Sequence, residues 1–269
     1  MQDNIAPKGS VFPLVAEQPV FCGPKDKPWP AGKHKAIVDL ATGKVFSIVS
    51  RDYRLIRHED AIGFLEKAIR KNPDLGAYVT TTSFYNDGGR MFHVFRFPGI
   101  SVRIDQGDVV NLELHLFNSY DLTWPFIVLV GGFRLVCSNG LVVGKKFYQF
   151  RRRHVFSLED VGLEADLGRS IDQFTLQAGE WREWTEVPMT MTVYDRVMGA
   201  MQLGARATEE IEERIWNENG YSQGNVPLVS LWAFFNVLTW YITHRVASLN
   251  RRVELGNRLR AAMGHLHTK

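Results

Sequence analysis

From residue 36 to residue 156 the apolar positions either alternate with polar ones or run in short blocks separated by turn residues, which predicts strands. Ile37-Val38-Asp39-Leu40 and Val45-Phe46-Ser47-Ile48-Val49 flank Ala41-Thr42-Gly43-Lys44, where Gly43 can supply a positive φ, so a hairpin is predicted. Residues 58–71 place Ala61, Ile62, Leu65, Ala68 and Ile69 at three and four spacing with Pro73 just beyond, an amphipathic helix. Residues 78–85 and 91–97 form a second hairpin around Asn86-Asp87-Gly88-Gly89. Residues 101–104 and 109–118 pair around Gln106-Gly107, and Val110, Leu112, Leu114 and Leu116 alternate with Asn111, Glu113 and His115, giving one buried and one polar face. Residues 126–130 and 133–137 read as two buried strands, and residues 147–156 as another, for a total of about eight.

After residue 156 the period changes. Ser157-Leu158-Glu159-Asp160 resembles a capping box and opens a mainly helical half. Residues 189–218 read as one helical stretch ending near Asn219-Gly220. Residues 228–263 carry Leu228, Leu231, Phe235, Leu238, Ile242, Leu249 and Val253 near heptad spacing, a long C-terminal helix or two collinear ones. Before residue 35, Pro7, Pro13, Pro19, Pro24, Pro28 and Pro30 predict an irregular arm whose apolar residues pack on the domain or on a second copy. The expected class is α+β, with a large antiparallel or mixed sheet in the first 156 residues and a helical second half. The expected organisation is an arm over 1–34, a β-rich core with one early helix over 35–156, and a helical part over 157–269 that forms one globular unit with that core.

Composition changes this picture little, because 45% hydrophobic and 23% charged residues over 269 positions match ordinary globular usage. Charge changes it more. Residues 1–156 hold 21 Lys and Arg against 14 Asp and Glu, a balance of +7, while residues 157–269 hold 11 against 15, a balance of −4. Such asymmetry points to an anionic partner. No run approaches the roughly 18 apolar residues of a membrane span, the first residues lack a signal-peptide layout, and the two cysteines, Cys22 and Cys137, stand alone, so a cytoplasmic protein with reduced thiols is expected.

Lys145-Lys146-Phe147-Tyr148-Gln149-Phe150-Arg151-Arg152-Arg153-His154 interleaves cations and rings. Strand alternation puts Phe147, Gln149, Arg151 and Arg153 on one face and Tyr148, Phe150, Arg152 and His154 on the other. Cations that track phosphates beside rings that stack on unpaired bases suit single-stranded nucleic acid. The plainer reading is a strand whose rings are core and whose arginines are solvated or paired with the acidic segment that follows, where residues 157–186 hold eight acids against Arg169 and Arg182. Arg134 adds a cation upstream. A second basic set, His244, Arg245, Arg251, Arg252, Arg258, Arg260 and Lys269, faces one acid, Glu254, and serves either phosphate binding or the negative end of a helix dipole. Trp232, Phe234, Phe235, Trp240 and Tyr241 read as core or a subunit interface. Glu113, His115 and Asp121 could meet to hold a divalent cation. No Walker loop, dinucleotide fingerprint, His-Glu-x-x-His or Gly-x-Ser-x-Gly occurs, so no catalytic residue and no cofactor is expected.

Phe133-Arg134-Leu135-Val136-Cys137-Ser138-Asn139-Gly140-Leu141-Val142-Val143-Gly144 resembles the phage and plasmid-like family known as domain of unknown function 932. Val49 to Ile56, Asn118-Ser119-Tyr120-Asp121, Arg151 to His154 and Leu231 to His244 agree with it in order, with Tyr120 standing where the family's stretch would carry His. The resemblance implies a mobile-element context and no established activity.

These readings converge on a single-stranded DNA-binding protein, a strand-annealing accessory of recombination or replication that acts as a homo-oligomer without a cofactor. Its DNA-contacting residues would be Arg134, Lys145, Lys146, Tyr148, Phe150, Arg151, Arg152, Arg153, His154, Arg245, Arg251 and Arg252. Two other classes stay open: a non-enzymatic assembly factor of a mobile element, and a metal-dependent enzyme on nucleic acid using Glu113, His115 and Asp121.

Overall fold

The computed structural model describes residues 12–105, 108–134, 146–219 and 229–264. Its described elements are eight strands, β1 (Val15–Cys22), β2 (Trp29–Asp39), β3 (Val45–Ser50), β4 (Val79–Tyr85), β5 (Arg90–Asp105), β6 (Asp108–Ser119), β7 (Phe126–Arg134) and β8 (Lys146–Arg152), and six helices, α1 (His58–Arg70), α2 (Glu164–Glu186), α3 (Met191–Met201), α4 (Ala205–Asn219), α5 (Leu231–His244) and α6 (Leu249–Gly264). The class is α+β, but the single large sheet is two antiparallel ones, β1-β2-β3 and β4-β5-β6-β7-β8. The chain divides into two compact units. Residues 1–100, 112–131 and 146–172 make the first, and residues 101–111, 132–145 and 173–269 the second.

The stretch read as an irregular arm contains all of β1 and the start of β2. Proline is tolerated there because of where it falls: Pro19 lies on β1, an edge strand whose register slips between Pro19 and Phe21, and Pro30 sits at the first turn of pairing in β2. Both predicted hairpins form. Gly43 has φ +72°, and in the β4–β5 turn Asp87 and Gly88 both take positive φ while the Gly89 N–H donates to the Asn86 carbonyl at 2.9 Å, a type I′ turn that matches strand twist.

Pro98-Gly99 does not break its strand. The register of β4 on β5 begins at Val79 opposite Arg96, so beyond Arg96 that flank of β5 asks no N–H of Pro98. Residues 126–130 and 133–134 are one strand rather than two, because Gly131 absorbs a bulge and Gly132 continues the line. The polar side of β6 is also buried: Glu113 is 4% and His115 3% exposed. Arg96 on β5 donates to Glu113 at 2.6 Å and His115 Nε2 meets the other carboxylate oxygen at 2.6 Å, so the two groups satisfy one another away from water.

In the first unit, one buried network anchors the end of β6. Asn118 Nδ2 donates to the Ile56 carbonyl and to His58 Nδ1, both at 2.9 Å. With Nδ1 accepting, the His58 proton sits on Nε2 and is donated to the Gly88 carbonyl at 3.0 Å. The ring stacks on Tyr120 at 4.1 Å, and the Tyr120 hydroxyl accepts the His58 backbone N–H at 2.7 Å, taking up a donor at the start of α1 that no side chain caps. Tyr120 also joins Val15, Ile37, Val49 and Tyr53 in the core beneath the three-stranded sheet.

The second unit is built on aromatic rings. Trp181 and Trp184 of α2 meet Trp232 at 5.8 Å and Phe235 at 5.5 Å, which places the aromatic run of α5 in the core. The predicted 189–218 helix divides at Gln202, which takes a left-handed φ of +49°, and Thr190 caps α3 by accepting the Val193 N–H. The long C-terminal helix is likewise two, α5 and α6, which pack on each other instead of running collinearly. The capping-box residues at 158–160 form only a 3₁₀ turn, and α2 begins at Glu164.

A Cβ on Gly132 would lie 2.7 Å from Trp181 and 2.9 Å from Phe174, two buried rings that have no room to retreat. Gly132→Ala is therefore expected to destabilise the protein by about 1–3 kcal/mol through overpacking. Gly256→Ala, in open space on α6, should be neutral or stabilising by up to about 1 kcal/mol. Thermal denaturation of the two variants checks both signs.

Candidate functional site

β8 is an edge strand paired with β7 so that Arg152 lies opposite Phe126 and Arg151 opposite Ile127. Pairing stops at Arg152, and the chain bends through Arg153, whose carbonyl accepts the Val155 N–H at 2.7 Å. Alternation stops with it: Arg151, Arg152 and Arg153 are all exposed, and His154 is buried at 5% exposure. The Arg54 N–H donates to the His154 carbonyl at 2.6 Å, and the Tyr53 hydroxyl contacts His154 Nδ1 at 2.7 Å and the Ser119 carbonyl at 3.3 Å. Burial keeps the Tyr53 phenol protonated well above its ordinary range, and pushes the His154 imidazole down to about 4. At neutral pH the charge here belongs to the arginines alone.

A second wall comes from the loop after β6. Asp121 pairs its charge with Arg90, whose Nε lies 3.1 Å from Oδ2, and accepts from Asn86 Nδ2 at 2.8 Å and the Thr123 N–H at 3.1 Å; with Asp121 so held, the next residue, Leu122, takes φ +63°. Left-handed backbone at a leucine costs about 1 kcal/mol or more. The side chain so placed is 55% exposed. Ser119 Oγ donates to the Trp124 carbonyl at 2.8 Å and accepts its N–H at 3.2 Å, and the indole packs against Tyr85 and Phe117 with the Arg90 guanidinium 5.6 Å from its centre.

Between these walls lies a cleft of about 670 Å³ within the first unit, lined by Ser50, Tyr53, Ser119, Leu122, Trp124, Pro125 and the segment Arg151 to Val155. The lining holds three arginines and no carboxylate. Among the described residues none of the three arginines forms an ion pair. Arg152 donates to the Arg151 carbonyl at 3.3 Å and lies 5.7 Å from the Phe150 ring.

The remaining sequence-predicted residues divide. Phe150 is not free to stack on a ligand, since it packs edgewise on Phe126 and Phe156, and Tyr148 is half-buried, its phenol raised to about 12 first by burial and then by Asp166. His154 faces the Tyr53 ring instead of a ligand. Arg245, Arg251 and Arg252 belong to the second unit and have partners there: Arg245 pairs with Glu210, Arg251 with Glu254 at 2.8 Å, and Arg252 donates to the Val246 carbonyl. Arg134 ends β7 and Lys146 begins β8, while Lys145, Lys269 and the Cys137–Gly140 turn lie outside the described residues. Glu113, His115 and Asp121 do not converge: Glu113 is held by Arg96 and His115, Asp121 by Arg90, and no group of three acids, histidines or cysteines among the described residues is placed to hold a metal. Leu122, Trp124 and Pro125 are missing from the sequence reading. The Asp121-x-Thr123 spacing of an Asx turn was the available signal.

The fold and site define an α+β protein with an unpaired cationic cleft at the edge of a five-stranded antiparallel sheet. The chain belongs to the family described as Domain of unknown function (DUF932), whose model matches residues 45–263 and so takes in every residue of the cleft. No curated protein and no solved structure matches it. Among the described residues no helix is long and apolar enough to cross a membrane.

Four buried histidines, His58, His93, His115 and His154, make stability depend on pH. Burial lowers His58 to about 3 and His93 and His154 to about 4, against roughly 6.5 in an unfolded chain. Between pH 6.5 and 4 the unfolded state binds more protons, so stability falls as pH is lowered through that window and is unaffected above pH 7. Urea midpoints at pH 7, 6 and 5 should decline in that order. His154→Phe keeps a ring against Tyr53 and removes one of the titrating groups, so it should flatten the decline between pH 6 and 5.

Proposed function

We propose that the protein binds single-stranded DNA through the cleft at the end of β8, as a non-enzymatic accessory of recombination or replication in a mobile element. The observation that carries this reading is the run Arg151-Arg152-Arg153, three consecutive exposed arginines with no ion pair among the described residues, in a lining without a carboxylate. Like charges gathered along one cleft repel, and a bound phosphate chain removes that cost. Arginine suits the task, since its planar fork grips phosphate oxygens in pairs. A strand-annealing role asks for nothing more than neutralised backbones and accessible bases, with base pairing supplying the free energy, and it needs no nucleotide cofactor.

A second reading, an assembly factor that contacts other proteins of the element, draws on the three-stranded sheet, where Phe21 and Trp29 on adjacent strands, with Val45 and Ile48 on β3, are each more than half exposed. It predicts a discrete protein complex and no affinity for DNA.

Fluorescence anisotropy of a labelled oligonucleotide across a salt series decides between them. Replacing Arg151, Arg152 and Arg153 together with Ala should weaken binding at least tenfold at about 50 mM salt and reduce the slope of log K against log salt by about 2, at roughly 0.7 per lost single-strand phosphate contact. The triple variant should remain folded, because these arginines form no ion pair among the described residues. Absence of binding by the unsubstituted protein, or an unchanged salt slope, would overturn the proposal.

A further inference from the structure

The wall facing the arginines has a chemistry that phosphate binding alone does not explain. Leu122 is 55% exposed and Trp124 and Pro125 are half-buried, all lining the same cleft. A site for a bare polyanion would gain from hydroxyls and amides there. This wall offers hydrocarbon and one indole, and the polar groups nearby are already used: Asp121 by Arg90, Asn86 and Thr123, and Ser119 by the Trp124 backbone. Leu122 is also the one non-glycine residue of the cleft with a positive φ, next in the chain to Asp121. The loop therefore spends backbone strain to display an apolar side chain to solvent, opposite three cations.

We infer that this wall is a base-reading surface, in which Leu122, with Trp124 and Pro125 beside it in the same loop, wedges against unpaired bases while Arg151 to Arg153 hold the phosphates. The inference rests on the nucleic-acid reading of the cleft and deepens it. A duplex keeps its base faces stacked inside and meets only the arginines, whereas a single strand turns its bases outward and meets both walls. The cleft thus selects strands by whether their bases are free.

Leu122→Gly is the telling variant. Glycine adopts φ +63° without strain, so the fold should be as stable as before or more so, and a loss of binding cannot be laid to unfolding. Binding is measured by anisotropy to a labelled 20-nucleotide single strand, to the duplex of the same length and to inorganic polyphosphate, and by co-sedimentation with vesicles of phosphatidylserine and phosphatidylcholine. The unsubstituted protein should prefer the single strand, and Leu122→Gly should lose about 5- to 50-fold on that strand alone, the scale of one lost base contact, with duplex and polyphosphate binding unchanged. If Leu122→Gly binds the single strand normally while the arginine variant does not, the base-reading wall is overturned and the phosphate site stands. Failure of the unsubstituted protein to bind any nucleic acid overturns the phosphate site as well, and vesicle binding in its place identifies the apolar wall as a lipid surface.

Discussion

The stacking of His58 on Tyr120 and the hydrogen bonds that Asn118 makes around it hold the first unit in its working shape. Four segments distant in sequence meet at this point: the turn after β4, the start of α1, the end of β6 and the core beneath the three-stranded sheet. Each donor and acceptor on the imidazole is used, so the ring is fixed in one tautomer and one orientation, and its burial keeps it uncharged. Because β6 ends on Asn118 and Ser119, the loop that displays Leu122 and Trp124 hangs directly from this network. The cleft inherits its geometry from a histidine that never touches a ligand.

A related economy governs the polar side of β6. Glu113 and His115 would be costly alone in a sheet interior, and burial pushes the carboxyl up, but the bonds from His115 and Arg96 outweigh it and hold Glu113 below the usual carboxylate range. The same residues attracted attention as a metal site, and the pairing explains why they are buried without one. Two further acids of the first unit are paired, Asp121 with Arg90 and Glu164 with Lys71, whereas the strand-end arginines form no ion pair among the described residues.

Much of this was legible from residue order, and what was hidden follows a rule. Turn chemistry speaks locally, so the hairpins at Gly43 and at Asn86 to Gly89 were readable, as was the face of α1. Proline and glycine were misleading wherever their meaning depends on a neighbour: Pro19 is harmless because β1 is an edge, Pro98 because β4 is not paired past Arg96, and Gly132 is demanded by rings contributed from α2. The arginines stand out in the sequence because they are contiguous. Phe150 looked free to stack because residue order does not show that Phe126 and Phe156 pack on it, and Leu122 and Trp124 lie in a loop with no periodicity to betray them.

The proline in β1 carries a meaning for the life of the protein in a crowded cell. An unpaired strand edge invites another copy to add to it, and successive additions make a fibril. Pro19 withholds the N–H that an incoming strand would need, and the slip in register beside it twists the remaining bonds out of line. The three-stranded sheet, with its exposed Phe21 and Trp29, is thereby blunted against endless self-templating on the β1 side. Oligomers built across the β1 edge would have to close by side-chain contact, not by continuing the ladder.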